Sequence, residues 1–148
     1  MSHDVKVTGV KITDINDLRS ALAQLSQRQG AAPLSLTENG TYRAYYASQS
    51  RQCPYVIDIE GCKYNIALDK ETDENGLDYY VPVIDTWDGI IQKALGTPKG
   101  LAPLDPLMQE YTVQAAIRGA QEKGYTVLDR LVDEYGVTQL VIDAETGY

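Results

Sequence analysis

The chain has 148 residues, of which 43% are hydrophobic; that is one domain's worth with enough apolar content for a core, and too much for global disorder. Thirteen Lys and Arg stand against 21 Asp and Glu, a formal charge of −8, which argues against nonspecific nucleic-acid binding, since no basic block is present to neutralise phosphates. No apolar run approaches the ~18 residues of a spanning helix, and Met1 to Gly9 mixes acidic and basic residues before any apolar stretch, unlike a secretory signal.

In chain order, Val5 to Ile12 reads as a strand whose alternation switches at Gly9, a bulge signal. Thr13 or Asp14 is placed to cap a helix running to about Gln29, with Ile15, Leu18, Leu22 and Leu25 as its buried stripe and Gly30 as its stop. Leu34 to Leu36 suits a short strand. Thr41 to Ala47 reads as a Tyr-rich strand, and Ser48 to Gln52 as a polar loop. Pro54 to Ile59 and Cys62 to Leu68 read as strands joined at Glu60-Gly61. The polar stretch Asp69 to Asn75 follows as a loop, and Asn75-Gly76 is a hairpin-turn signal before a strand at Leu77 to Ile84. The middle is thus an antiparallel meander.

Asp85 to Leu95 predicts a short helix capped by Asp85 or Thr86 and stopped by Gly96. Prolines 98, 103 and 106 mark a loop. A second long helix spans Leu107 to Lys123, with Ala115, Ala116, Gly119 and Ala120 forming a side small enough to lie close against a sheet. Tyr125 to Val132 and Val137 to Asp143 form a last hairpin, and Ala144 to Tyr148 reads as a frayed tail. The expected fold is a single α+β domain: an antiparallel sheet of about five to seven strands with two main helices packed on one face.

The two ends of this layout resemble the hypothetical chloroplast reading frame thirty-five family of plastids, cyanobacteria and some phages. The opening match is Met1-Ser2-His3, then Ile12-Thr13-Asp14, Leu18, Ala21 and Leu22. The closing match is Tyr111, Ala115 and Ala116, then Gly124-Tyr125-Thr126-Val127, Gly136 and Leu140-Val141-Ile142. Lys63-Tyr64-Asn65-Ile66 and Trp87 have counterparts in the middle. Asp4 departs from the Phe that members usually carry after Ser-His, and the acidic, Tyr-rich middle is longer than usual. The resemblance implies a soluble α+β protein and brings no activity and no catalytic residues.

Charge and aromatics coincide in this chain. Nine acidic residues between Asp58 and Asp88 stand against Lys63 and Lys70, so 2 − 9 gives −7 of the total −8. An EF-type calcium loop starting at Asp69, Glu71 and Asp73 fails, because Glu74 replaces the turn Gly and Tyr80 replaces the bidentate Glu. The segment reads as a solvated hairpin tip, or as an acidic patch docking a basic surface. There are eleven Tyr, one Trp and no Phe. Tyr45, Tyr46, Tyr79 and Tyr80 stand in adjacent pairs, so one ring of each pair reaches either sheet face; they fit core packing or an interface.

Other chemistry is thin. His3 is the sole histidine and lacks a visible partner. Cys53 and Cys62 have no further soft ligands, and the strand between them argues against a disulfide, so a reducing cytoplasm is expected. Gly96-Thr97-Pro98-Lys99-Gly100 lacks phosphate-loop spacing. Trp87, between Asp85 and Asp88, suits the edge of a core or a ligand cleft.

The expected function is therefore a non-enzymatic binding or regulatory protein without metal or cofactor. Its contact residues would be Asp69, Glu71, Asp73, Glu74, Tyr45, Tyr46, Tyr79 and Tyr80, against a protein with a basic surface. In a phage-encoded version that partner would belong to the host. The alternatives are a small-molecule binder or enzyme with a pocket near His3 and Trp87, and a structural component of a larger assembly.

Overall fold

A computed structural model describes residues 4–9, 11–28, 30–46, 48, 50–134 and 137–143. His3 and the tail from Ala144 lie outside them. The fold is α+β, built on a five-stranded antiparallel sheet in the order β1-β7-β6-β5-β2. Its strands are β1 (Asp4–Lys6), β2 (Leu34–Glu38), β5 (Tyr55–Ile59), β6 (Ile66–Thr72) and β7 (Asp78–Asp85). Two two-stranded sheets accompany it, β3 (Thr41–Tyr42) with β4 (Arg51–Gln52), and β8 (Thr126–Val132) with β9 (Thr138–Asp143).

Period-two alternation gives the central strands two different faces. Ile57 and Ile59 of β5, Ile66 and Leu68 of β6 and Ile84 of β7 meet the helices in the main core. Val56, Ala67 and Val83 point the other way, into a small second core that Tyr42 and Cys53 cover. Both main helices therefore lie on one face, while the β3–β4 hairpin covers part of the other.

Helix α1 (Ile15–Ser26) begins where expected. The Asp14 side chain accepts from the N–H groups of Asn16 and Asp17, satisfying two donors that a helix start leaves open. Leu18, Ala21, Leu22 and Leu25 are buried, following the i, i+3, i+4 stripe. Helix α3 (Asp105–Glu122) packs on α1. The buried Tyr111 hydroxyl accepts from the N–H of Thr13 at 3.0 Å and of Asp14 at 3.2 Å. Arg118 Nε donates to both oxygens of the buried Asp17, each at 2.9 Å.

Several boundaries differ from the expectation, for physical reasons. The first strand stops at Lys6, the Val7 N–H still donates to the Pro82 carbonyl at 2.8 Å, and the chain meets β7 again at the Ile12–Tyr80 bridge. The expected Tyr-rich strand from Thr41 ends at Tyr42, because side chains take over its backbone bonds. Asn65 accepts from the Arg43 N–H at 2.8 Å and Asp85 from the Tyr45 N–H at 2.7 Å. The polar residues Asp69–Thr72 are strand instead of loop, paired in register with Val81–Asp78. The small-residue side of α3 is not its buried face: Leu107, Met108, Glu110, Tyr111 and Val113 are buried, whereas Ala116 is exposed.

Candidate functional site

The predicted contact residues fall in three places. Asp73 and Glu74 form the β6–β7 turn, where the Asp73 carboxylate accepts from the N–H groups of Asn75 and Leu77. Asp69, Glu71 and Tyr79 share the hairpin-covered face of the sheet, and Tyr80 stands on the helix face, edge-on to Tyr55 at 5.3 Å. Tyr45 and Tyr46 lie near the far end of β7, beside Trp87. A strand of this length separates that end from the turn by about 23 Å.

Much of the acidic middle is neutralised from within. Arg51 Nη1 and Nη2 donate to the two oxygens of Asp69 at 2.6 and 2.7 Å. Lys6 pairs with Glu71, Lys70 with Asp78 and Arg43 with Asp58. The Tyr79 hydroxyl also donates to Glu71. The Lys6 ammonium, with help from Tyr79, holds the Glu71 carboxyl below its ordinary range. The sequence places these carboxylates together but cannot show that their counterions come from Lys6, Arg43 and Arg51, all outside the acidic segment.

At the far end of β7 the pattern is different. The ring centroids of Tyr45 and Tyr46 are 4.9 Å apart at 87°, and those of Tyr45 and Trp87 are 4.9 Å apart at 50°. Despite these contacts Tyr45 is 47% exposed, Tyr46 39% and Trp87 40%. The three rings form a solvent-facing ledge, and an edge-to-face contact of Tyr46 and a tilted contact of Trp87, both with Tyr45, restrict them without burying them.

Asp85 builds this ledge. Its carboxylate is fully buried and accepts from the Tyr45 N–H at 2.7 Å and from the Trp87 N–H at 2.8 Å. One buried side chain thus joins two loops distant in sequence. Burying a carboxylate is costly unless its lone pairs are used, and these two donors use them. Trp87 opens a 3-10 turn, Trp87–Gly89, followed by α2 (Ile90–Ala94). Within that turn Asp88 has φ +52° and Gly89 +59°. A left-handed conformation is ordinary for glycine and uncommon for aspartate.

Tyr42 anchors the same loop from below, being fully buried and donating from its hydroxyl to Asp4 Oδ1 at 2.8 Å. Burial, with the Asp4 carboxylate next to it, pushes the Tyr42 phenol well above its ordinary pKa. Asp4 is therefore the acceptor that a buried tyrosine hydroxyl needs. The sequence offers Asp85 or Thr86 as a helix cap, and the Asp-Thr-Trp spacing is also an Asx-turn pattern. It gave no sign that Asp85 also holds Tyr45.

Cys53 is buried, Cys62 is half-buried, and both are free thiols. Among the described residues no group of three or more His, Cys, Asp or Glu is arranged to hold a metal ion, and no helix is long and apolar enough to cross a membrane. A cleft of about 600 Å³ lies between α3 and the β8–β9 hairpin, lined by residues that do not include Trp87. Comparison with protein-family models, with curated proteins and with solved structures gave no match.

Proposed function

We propose that the chain is a non-enzymatic binding protein whose contact surface is the Tyr45–Tyr46–Trp87 ledge, and that its partner is a protein presenting lysine or arginine side chains. The observation that carries this reading is the exposure of three rings packed in series, Tyr46 on Tyr45 and Tyr45 on Trp87, with Tyr45 and Trp87 held by one buried carboxylate. Rigid Tyr and Trp side chains supply large contact area at little entropic cost, the property that makes them interface hot spots. Exposed ring faces also attract cations. The overall charge of −8 steers basic partners toward the molecule.

The acidic β6–β7 turn is the competing position for the contact, and the resemblance to the chloroplast reading frame family leaves the choice open. Trp87 is the sole tryptophan, so its emission reports on the ledge directly. Titration with a lysine- and arginine-rich peptide is expected to change that emission, less so as salt rises. Tyr45→Ala abolishes the response, and Asp73→Ser with Glu74→Ser leaves it intact. No response in the wild type, or equal loss in both variants, removes the ledge as the contact surface.

A further inference from the structure

We propose that the β8–β9 hairpin is a homodimer interface, in which β9 pairs antiparallel with β9 of a second copy about a two-fold axis. The inference is independent of the aromatic ledge. It starts from the outer edge of β9, which pairs with no other described strand.

Exposed strand edges are normally blunted by lysine, proline or a bulge. The other strand, β8, follows that rule: it has a register shift between Val127 and Asp129, with Asp129 and Arg130 beside it. In β9, Thr138-Gln139-Leu140-Val141-Ile142 carries no charge, no proline, no glycine and no shift, and the strand's one charge is its last residue, Asp143. It is a flat edge built for pairing.

The apolar surface lies on the same side. The cleft beside α3 is lined by Val137 and Leu140 on the β9 side and by Met108, Val113 and Ala116 of α3, with Leu101 nearby. Val132, Val137 and Leu101 are half or more exposed and Ile142 about two-fifths, whereas Val141, between Leu140 and Ile142 in the strand, faces away from α3. Together Val132, Val137, Leu101 and Ile142 expose on the order of 300 Å², to be set against the size of a standard interface. A standard interface takes about 800 Å² per partner, a little over half of it apolar, so these four residues supply most of the apolar area that one side of a stable dimer requires.

Symmetry favours a second copy over another partner. A two-fold axis perpendicular to the hairpin at Leu140 sets Leu140 against itself, Gln139 against Val141 and Thr138 against Ile142. Like charges do not meet across those positions. Leu140 is in register with Arg130, which reaches Glu110 of α3, so Leu140 is on the helix-facing side. The axis therefore keeps both α3 helices on one side of a four-stranded sheet, and each cleft opens toward the other copy's β9. The chain's dense negative charge is elsewhere, in residues 58–88.

Sedimentation of the full chain across the micromolar range tests this. The wild type is expected to be dimeric. The double variant Gln139→Lys with Val141→Lys, which sets lysine against lysine twice across the axis, raises the dimer dissociation constant by on the order of 100-fold. Gln139→Glu with Val141→Lys sets opposite charges against each other and restores the dimer. Leu128→Lys, on the β8 side, leaves the dimer intact. Circular dichroism confirms that each variant is folded. A monomeric wild type, a persisting lysine–lysine dimer, or no recovery with the charge-swapped pair each overturns the proposal.

Discussion

Arg51 grips Asp69 with both terminal nitrogens, at 2.6 and 2.7 Å, while its guanidinium lies 5.5 Å from the centre of the Tyr42 ring. The pair fastens β4 onto β6 and covers the edge of the second core. An acidic residue that reads as a partner contact is thus a strut of the fold. A bidentate arginine pair is among the stronger surface interactions, although both side chains are partly exposed and screened by solvent. Asp69→Asn is expected to cost about 1 kcal/mol in urea denaturation. Glu74→Ser, at an exposed turn position, stays within about 0.5 kcal/mol of the wild type.

Gly40 tests how closely that hairpin approaches the sheet. A Cβ added there would stand 2.2 Å from Val56 Cγ2, inside the second core, where Val56 is almost fully buried. The constraint is one of space. Gly40→Ala therefore forces Val56 to move and is expected to destabilise by about 1–3 kcal/mol. Gly40→Ala combined with Val56→Ala recovers part of the strain and shows coupling between the two sites in a double-mutant cycle.

The sequence is most readable where one period dominates. The helix at Ile15–Ser26 announces itself through Asp14 and the Leu18, Leu22, Leu25 stripe, and the final hairpin through two β-rich runs. Polar strand residues are harder to read. Asp69–Thr72 looks like loop because its charges are matched by Arg51, Lys6 and Asp78, contacts that exist only after folding. Thr41–Ala47 looks like strand because nothing local reveals that Asn65 and Asp85 capture its N–H groups. The ledge was half visible: Tyr45, Tyr46 and Trp87 each stood out, but only the tertiary link through Asp85 joins them. Glu110 lay within an ordinary helix pattern and gave no signal.

Glu110 carries the junction between α3 and the last hairpin. It is almost fully buried and accepts from Arg130 at 2.9 and 3.0 Å, from Arg28 at 3.0 Å and from Gln114 at 3.0 Å. Burial alone would raise its pKa, but the hydrogen bonds from Arg130 and Gln114 and the two guanidinium charges hold it below the ordinary carboxylate value. A depressed folded-state pKa contributes stability that is fully present above the unfolded-state value, near 4.5, and is lost as pH falls through the folded value. Acidification below that range should therefore loosen the hairpin first, seen as faster amide exchange in Thr126–Val132 and Thr138–Asp143. Arg130→Ala, which leaves the Arg28 contact, is expected to cost about 2–3 kcal/mol at neutral pH. Glu110→Gln is less stable at neutral pH and loses this acid-dependent step.

Asp88 separates stability from binding. Its φ of +52° places an aspartate in the left-handed region, a conformation costing roughly 1 kcal/mol that glycine adopts freely. Little offsets the strain locally: Lys93 stands 3.9 Å away with both side chains mostly exposed, a geometry that contributes almost nothing. Asp88→Gly should then stabilise the fold by up to ~1 kcal/mol, less what added chain flexibility in the unfolded state takes back. On the proposed ledge, however, Asp88 supplies the exposed carboxylate beside Trp87. The same variant is expected to bind a lysine- and arginine-rich peptide several-fold more weakly, read from Trp87 emission. Stabilisation with undiminished binding would place Asp88 outside the contact surface, whereas stabilisation with weakened binding is the signature of backbone strain kept at a functional position.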